Sequence, residues 1–293
     1  MSRRTNLART VARAHRLMPG FAGRVHTSLF INTRSLDSFP DDLCPLGARR
    51  LKLDGVPRVA AVYVWGDDEP TVLALHGWGT DSTTMSAVVD AARAGGESVL
   101  SFDAPGHGVS PGTEATITEY AGATAAVLQR FPSIHTIVAH SLGSIPAVAA
   151  VAGSETTRVR DLLLLAPACS LSHVLDRWAM QRNVPRPVTL RIYRELKRRD
   201  GVPVSHWDIR TLGLPNSVRV RILHDPTDAS VPLRDSHLIA EAISAEIQEV
   251  AAGTGHDGLI GSAEMRAAVK ACLQPEANSS GESPSRRGTR CRY

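Results

Sequence analysis

A serine with small neighbours follows a strongly apolar strand pattern. Residues 134–140 read Ile-His-Thr-Ile-Val-Ala-His, Ser141 comes next, and a helical pattern begins at once. A strand-to-helix turn this sharp needs small residues two positions before and two after the serine, and Ala139 and Gly143 occupy these positions. Such a turn holds the hydroxyl out at the carboxyl end of the strand. We therefore predict that Ser141 is a nucleophile that attacks a carbonyl carbon.

A nucleophilic serine needs a base, and the base needs an acid to orient it. Two carboxylates, Asp225 and Asp228, follow the strand pattern that ends at His224, and His256 lies in a glycine-containing loop after the last strand pattern. Serine, acid and histidine therefore come in the order associated with this kind of turn. We predict His256 as the base, and the residues themselves leave both aspartates as candidates for the acid.

The negative charge that forms when serine attacks a carbonyl also needs hydrogen-bond donors. One predicted donor is the backbone N–H of Leu142, directly after the nucleophile. The other comes from the sequence His76-Gly77-Trp78-Gly79, which follows an apolar strand pattern, and the N–H of Trp78 is the best candidate. We expect His76, Gly77, Trp78 and His140 to contact the substrate.

Strand and helix patterns alternate from about residue 49 onward. Short apolar strands separated by amphipathic helices predict an α/β fold with a mostly parallel sheet covered by helices on both faces. Between about residues 167 and 215 the strands give way to arginine-rich helical patterns, which indicates a small helical cap inserted into the domain. We expect an N-terminal basic arm and lead-in (1–48), one domain (49–273) and a disordered tail (274–293) rich in Ser, Gly, Pro and Arg.

Five motifs in this order resemble the α/β-hydrolase superfamily, in particular serine hydrolases of the esterase and lysophospholipase type. The motifs are His76–Gly79, Phe102–Ser110, Ala139–Gly143, His224–Asp228 and Gly255-His256. The resemblance covers about residues 49–272 and implies a largely eight-stranded sheet with the cap after the sixth strand. It also implies a catalytic triad of Ser141, Asp228 and His256.

Two positions depart from the usual motifs of the superfamily. Ala139 stands where glycine is more common, which predicts slight crowding at the turn. Asp225 stands where the acid motif usually has glycine, so it remains a rival for the acid, although the spacing after His224 and the sequence that follows favour Asp228. In the loop 103–110 the resemblance implies a scaffolding role for Asp103 and His107.

The net charge of +4 is unevenly distributed. Residues 1–34 hold seven arginines and no acidic residue, and residues 274–293 add a further +2, which leaves residues 35–273 at −5. We therefore expect no nucleic-acid partner for the folded body. No histidine or cysteine cluster has the spacing of a metal site, and no glycine-rich loop fits a nucleotide motif, so we expect no metal and no cofactor.

The N-terminal arm has a helical pattern, with Leu7, Val11, Ala14 and Met18 on one face and arginines opposite. Met18-Pro19-Gly20 is expected to end this helix. The arm could pack on the body, contact a membrane peripherally or serve as an organellar transit peptide. The four scattered cysteines indicate reduced thiols and favour a cytoplasmic location, with peripheral membrane contact as an option. The sequence does not predict the oligomeric state.

Taken together, the motifs predict an enzyme that cleaves an ester-type acyl bond of a small molecule through an acyl-enzyme. An acyltransferase or thioesterase on the same fold is the nearest alternative, because it would use the same intermediate. A non-catalytic binding protein with this fold is the alternative from a different class.

Overall fold

A computed structural model describes residues 18–33, 44–53, 55–56 and 58–274. The predicted face of the arm at Leu7, Val11 and Ala14, positions 54 and 57, and nearly all of the predicted tail lie outside these residues. In the described part of the chain no helix has the length and apolarity needed to cross a bilayer. Cys44, Cys169 and Cys272 are free thiols.

The sheet has eight strands and is parallel except at one edge. Its order is β1-β2-β4-β3-β5-β6-β7-β8, with β1 and β2 antiparallel to their neighbours and all other pairs parallel. The strands are β1 Arg49–Leu51, β2 Val62–Trp65, β3 Val72–Leu75, β4 Val99–Phe102, β5 Thr136–His140, β6 Asp161–Leu165, β7 Arg219–His224 and β8 Glu246–Glu249. This is the α/β-hydrolase fold expected from the sequence.

Helices cover both faces of the sheet, because successive side chains on each strand point to opposite faces. The helices are α1 Pro19–Ile31, α2 Ser86–Ala94, α3 Ile117–Arg130, α4 Ser144–Ala152, α5 Leu171–Gln181, α6 Arg186–Asp200, α7 Leu233–Ile243 and α8 Ala263–Leu273. Helices α3 and α4 pack with Leu73 and Leu75, whereas α2 and α8 pack on the other side with Val72 and Ala74. The central strands are therefore apolar throughout, as in other buried parallel sheets.

Two helices begin elsewhere than the sequence pattern suggests. The sequence from Asp257 to Cys272 has a helical pattern, but the last helix starts only at Ala263. The Ser262 side chain caps it, and the preceding residues Gly258–Gly261 form a 3₁₀ turn. The arm helix that Met18-Pro19-Gly20 is expected to end lies before the described residues, and a second helix, α1, begins at Pro19. Proline suits the first helical turn, where its missing N–H has no intrahelical partner.

The cap lies between β6 and β7, as expected. It consists of α5 and α6 followed by two short 3₁₀ turns, Val204–His206 and Ile209–Thr211. The sequence did not predict that α1 packs closely against α6. A Cβ added to Gly23 on α1 would lie only 2.4 Å from the Cβ of Arg191 on α6, so the two helices meet where α1 has no side chain. Together α1, α5 and α6 form what we call the roof.

Candidate active site

The turn at Ser141 is strained in the way the sequence predicts. Ser141 follows β5 directly and has a φ of 54°, in the left-handed region that residues with a Cβ rarely adopt. A 3₁₀ turn from Ser141 to Gly143 then leads into α4. A Cβ at Gly143 would lie 2.4 Å from the backbone oxygen of His76, so glycine is required there. The turn thereby presents the serine hydroxyl at the edge of the sheet.

His256 lies between Ser141 and Asp228. Its Nε2 is 2.9 Å from the Ser141 Oγ, and its Nδ1 is 2.6 Å from an Asp228 carboxylate oxygen. An ionised carboxylate only accepts hydrogen bonds, so Nδ1 carries the proton and Nε2 is free to accept the serine proton. The structure therefore brings together three side chains that are separated by up to 115 positions in the sequence.

The Asp228 carboxylate is held on several sides. Its Oδ1 accepts the backbone N–H groups of Ser230 at 2.7 Å and Val231 at 3.0 Å, and the side chain is fully buried. Burial alone would raise the pKa of Asp228, but hydrogen bonds from His224, His256 and Val231 outweigh it and hold the pKa well below its usual value. Asp228 is therefore ionised at neutral pH, as an orienting acid has to be.

Asp225 does not contact the imidazole of His256. Its carboxylate accepts the backbone N–H of Thr227 at 2.7 Å, of Gly255 at 2.6 Å and of Gly253 at 3.4 Å. These backbone hydrogen bonds lower the pKa of Asp225. Thr227 belongs to the acid loop and Gly253 and Gly255 to the histidine loop, so Asp225 joins the two loops. Of the two rival aspartates, Asp228 is the one beside His256.

The loop His76–Gly79 lies against Ser141, but its side chains differ in where they point. A Cβ added to Gly77 would be 3.3 Å from the Cβ of Ser141, and the side chain of Trp78 lines the pocket with Leu142. His76 is fully buried, with Nε2 accepting the N–H of Ala104 at 3.0 Å and Nδ1 bonded to the carbonyl of Gly77 at 2.7 Å. The structure thus places Trp78 and Leu142 beside Ser141 and keeps the His76 ring away from the pocket.

His140 is also buried rather than part of the pocket wall. Its Nε2 lies 3.1 Å from the backbone oxygen of His256, so this ring connects the end of β5 to the histidine loop. Burial and the neighbouring His256 lower the pKa of His140 to about 4, so the ring is neutral and Nε2 donates to the carbonyl. The sequence predicted substrate contact for His140, whereas the contact observed is with the backbone of His256.

The loop after β4 packs against the loop that contains Trp78 and supports it. Asp103 is buried and accepts the backbone N–H groups of Ser82 at 2.9 Å and Val109 at 3.1 Å. The His107 ring meets Trp78 edge-on, with ring centroids 4.9 Å apart, and burial lowers its pKa to about 3. The contacts of Asp103 and His107 described here are with neighbouring loops and Trp78, and none of them is with Ser141 or the His256 ring, which fits the supporting role expected for this loop.

A pocket of about 340 Å³ opens above Ser141 and His256. Its walls come from the loop at Trp78, the start of α3 and the roof, and its apolar residues include Leu29, Phe30, Ile31, Trp78, Ile117, Leu142, Leu171, Val174, Trp178 and Leu196. Arg177, Arg182 and Asp200 are the charged side chains in these walls besides the site itself. Leu29–Asn32 and Leu196 were missed by the sequence analysis, because nothing local to α1 or α6 shows that they meet over the serine.

Three possible metal-donor atoms, one each from His140, His256 and Asp257, lie within 4.8 Å of one another. Two of these side chains already have other partners, since His256 is bonded to Ser141 and Asp228 and His140 to the His256 carbonyl. These hydrogen bonds explain why the donor atoms of the three residues lie close together.

The model of the Alpha/beta hydrolase family matches residues 72–271, more than half of the chain. The chain belongs to this family. Membership of the α/β-hydrolase family supports hydrolase activity and agrees with the resemblance found in the sequence motifs. Comparison with curated protein sequences gives no match.

Solved α/β-hydrolase structures are similar in fold. An esterase from Pyrococcus furiosus has a TM-score of 0.58 at 16% identity, with 83% of this chain and 96% of the esterase covered. The alpha/beta hydrolase domain-containing protein 10 from mouse has a TM-score of 0.56 at 17% identity, with coverage of 77% and 96%. A thioesterase domain from the curacin biosynthetic pathway has a TM-score of 0.51 at 17% identity, with coverage of 77% and 98%. At these identities the similarity supports the shared fold alone.

Proposed function

We propose that this α/β-hydrolase cleaves small-molecule carboxylic esters through a covalent acyl-enzyme. The observation that carries the proposal is the continuous hydrogen-bond chain from Ser141 through His256 to the buried Asp228, at the base of a largely apolar pocket. The ionised Asp228 accepts a hydrogen bond from Nδ1 of His256, which leaves Nε2 facing the Ser141 hydroxyl as the proposed base.

In the first half of the reaction the Ser141 oxygen attacks the ester carbonyl while its proton moves to His256 Nε2. The backbone N–H groups of Leu142 and Trp78 would stabilise the resulting oxyanion. The imidazolium then gives its proton to the leaving alkoxide as the carbon–oxygen bond breaks. In the second half His256 removes a proton from water, which attacks the acyl-enzyme and releases the acid and free Ser141.

The pocket favours an apolar acyl group of modest size. Its volume of about 340 Å³ is at the lower end of the range for small-molecule sites, and its walls are mainly aliphatic and aromatic. The Arg177 guanidinium in the wall lies 3.9 Å from the Asp235 carboxylate, and that of Arg182 lies 4.8 Å from the Trp178 ring. These contacts give both cations partners within the protein, so the pocket does not require an anionic substrate.

Labelling with a fluorophosphonate tests the nucleophile. We expect wild type to gain one adduct by intact mass and Ser141→Ala to gain none. Ser230→Ala is the matched control, because this second serine also lines the pocket and its backbone, not its hydroxyl, bonds to Asp228. Equal labelling of wild type and Ser141→Ala would show that Ser141 is not the nucleophile.

Turnover of a short p-nitrophenyl ester distinguishes the enzyme from a binding protein of the same fold. An esterase releases p-nitrophenol above background, and Ser141→Ala lowers kcat/KM by about 10⁴-fold or more. Adding an alcohol or a thiol as acceptor distinguishes a hydrolase from an acyltransferase. A transferase would form mainly the new ester or thioester, whereas a hydrolase would form mainly the free acid.

A further inference from the structure

Helix α1 has an apolar outer face. Met18, at its N-terminus, and Phe21, Val25 and Leu29 within it are 59%, 56%, 43% and 54% exposed. Their spacing of three or four residues places them along one side of the helix, and we call them the apolar stripe. They make up four of the seven exposed large hydrophobic side chains in the described part of the chain, so the exposure is concentrated here.

The orientation of α1 is fixed by its inner face. That face places Gly23 against the Cβ of Arg191 and packs Phe30 edge-on against the Trp178 ring. Rotating the helix to bury Phe21 or Val25 would bring a large side chain to the point where even a Cβ does not fit. The stripe is therefore exposed because of how the roof is packed.

The sequence before the stripe is basic, and exposed arginines accompany the stripe in the described part of the chain. Residues 1–17, which lead directly into it, contain five arginines and no acidic residue. Arg24 is exposed within α1, and Arg191 and Arg194 are exposed on the adjoining α6, next to a further exposed apolar side chain, Leu190. Apolar side chains among arginines are the composition of helices that lie in the surface of an anionic membrane.

A second copy of the chain fits this surface less well. In a symmetric dimer the same patch meets itself, so Arg24, Arg191 and Arg194 would face the same arginines of the partner. Phosphate groups of anionic lipids, by contrast, are complementary to these cations. The stripe also ends at the pocket, because Leu29 lines it together with Phe30 and Ile31.

We propose that the apolar stripe of α1 docks the protein on anionic phospholipid membranes, with the pocket opening beside the docked helix. The proposal concerns binding alone and does not depend on the esterase chemistry.

Sedimentation with phosphatidylcholine vesicles, with and without phosphatidylglycerol, tests it on the full-length chain. We expect wild type to co-sediment with the vesicles that contain phosphatidylglycerol. The double variant Phe21→Gln/Val25→Gln should partition at least about tenfold less, because two apolar side chains no longer enter the interface. Arg9→Gln/Arg13→Gln/Arg16→Gln should weaken binding to the anionic vesicles by about a hundredfold and reduce its salt dependence.

Two controls keep the result specific. Leu46→Gln changes an even more exposed apolar residue outside α1 and should co-sediment like wild type. Phe21→Leu/Val25→Leu keeps the stripe apolar and should also bind. Thermal unfolding reports whether each variant is folded, and since neither Phe21 nor Val25 lines the pocket, any ester turnover should also be unchanged.

Equal co-sedimentation of wild type and Phe21→Gln/Val25→Gln would overturn the proposal. Absence of vesicle binding by wild type, together with self-association in sedimentation velocity that the double variant abolishes, would overturn it in favour of a second copy. Vesicle binding by a chain that shows no ester turnover would leave docking supported and reject only the proposed function.

Discussion

The edge of the sheet that carries Ser141, Asp228 and His256 and the roof above it are built from different interactions. At the sheet edge, Asp225 and Asp228 each accept several backbone hydrogen bonds, and His256 is bonded on both ring nitrogens. The roof is helix against helix, and the contact between α1 and α6 depends on Gly23 being small. The sheet edge thus fixes atoms to within hydrogen-bond geometry, whereas the roof fixes the shape of a cavity. Changes at the edge should therefore affect the rate, and changes in the roof should affect which substrate fits.

The largest expected effect separates the two aspartates. Asp228→Asn places an amide beside His256 Nδ1, which permits the wrong tautomer, and should lower kcat by about 10⁴-fold with little change in fold. Asp225→Asn weakens the connection between the two loops and should lower the melting temperature with a much smaller loss of kcat. Steady-state kinetics and thermal unfolding of both variants measure the difference. If Asp225→Asn abolished turnover while Asp228→Asn remained active, the roles assigned to the two aspartates would be reversed.

A methyl group at the nucleophile turn should have the next largest effect. Gly143→Ala forces its Cβ against the backbone oxygen of His76, so the turn has to shift and kcat should fall by about 10²-fold, with about 1–3 kcal/mol lost in the free energy of unfolding. Gly122→Ala is the matched control, because the added Cβ on α3 has open space and should stabilise the helix by up to about 1 kcal/mol. Denaturant unfolding and ester turnover check both. Wild-type values for Gly143→Ala would contradict the close approach of His76.

Stability should fall below pH 6.5 because buried histidines resist protonation. The pKa of His140 is lowered to about 4 and that of His107 to about 3, mainly by burial, and burial also lowers the pKa of His76. Below pH 6.5 the unfolded chain binds protons that the folded chain does not. The free energy of unfolding should therefore decrease by up to about 1.4 kcal/mol per pH unit for each histidine. For His140 this decrease runs down to pH 4, and for His107 down to pH 3.

Denaturant titrations at a series of pH values from about 7.5 to about 4.5 would show this slope. His107→Gln removes one of the titrating groups and should give a shallower curve than wild type. Parallel curves for the two proteins would indicate that His107 is not protonated on unfolding in this range.

The smallest expected effect comes from the roof. Gly23→Ala should push α1 away from α6, lower the free energy of unfolding by about 1–2 kcal/mol and shift the preferred acyl chain length, while short esters are still hydrolysed. Gly20→Ala lies on the same helix with open space around the added Cβ, so it should behave like wild type. A series of p-nitrophenyl esters of increasing chain length measures the shift. The same profile for both variants would mean that the contact between α1 and α6 does not shape the pocket.

The sequence was most informative where the structure is determined locally. The strand that runs into Ser141, with Gly143 two residues later, describes a turn whose requirements lie within a few residues. The alternation of strands and helices and the position of the cap also followed from the patterns and the family motifs. The adjacency of Ser141 and His256 was predictable because parallel strands end at one edge of a sheet.

Features that depend on contacts between distant segments were not predictable in the same way. Asp225 could be named only as a rival acid, because its bonds to Gly253 and Gly255 require the two loops to be in contact. The N-terminal helix was harder still. The apolar stripe of α1 is exposed, whereas Phe30 and Ile31 of the same helix pack on the body, so the hydrophobic pattern alone does not show which face of α1 packs.

The bonds of Asp225 have a consequence for how a ligand reaches the nucleophile. One carboxylate clamps the segment bearing the acid to the segment bearing the base, so neither can swing aside without releasing the other. We therefore expect the entrance to widen by displacement of helices instead of by opening of these loops. The catalytic machinery would then stay assembled between turnovers, ready for the next molecule to arrive.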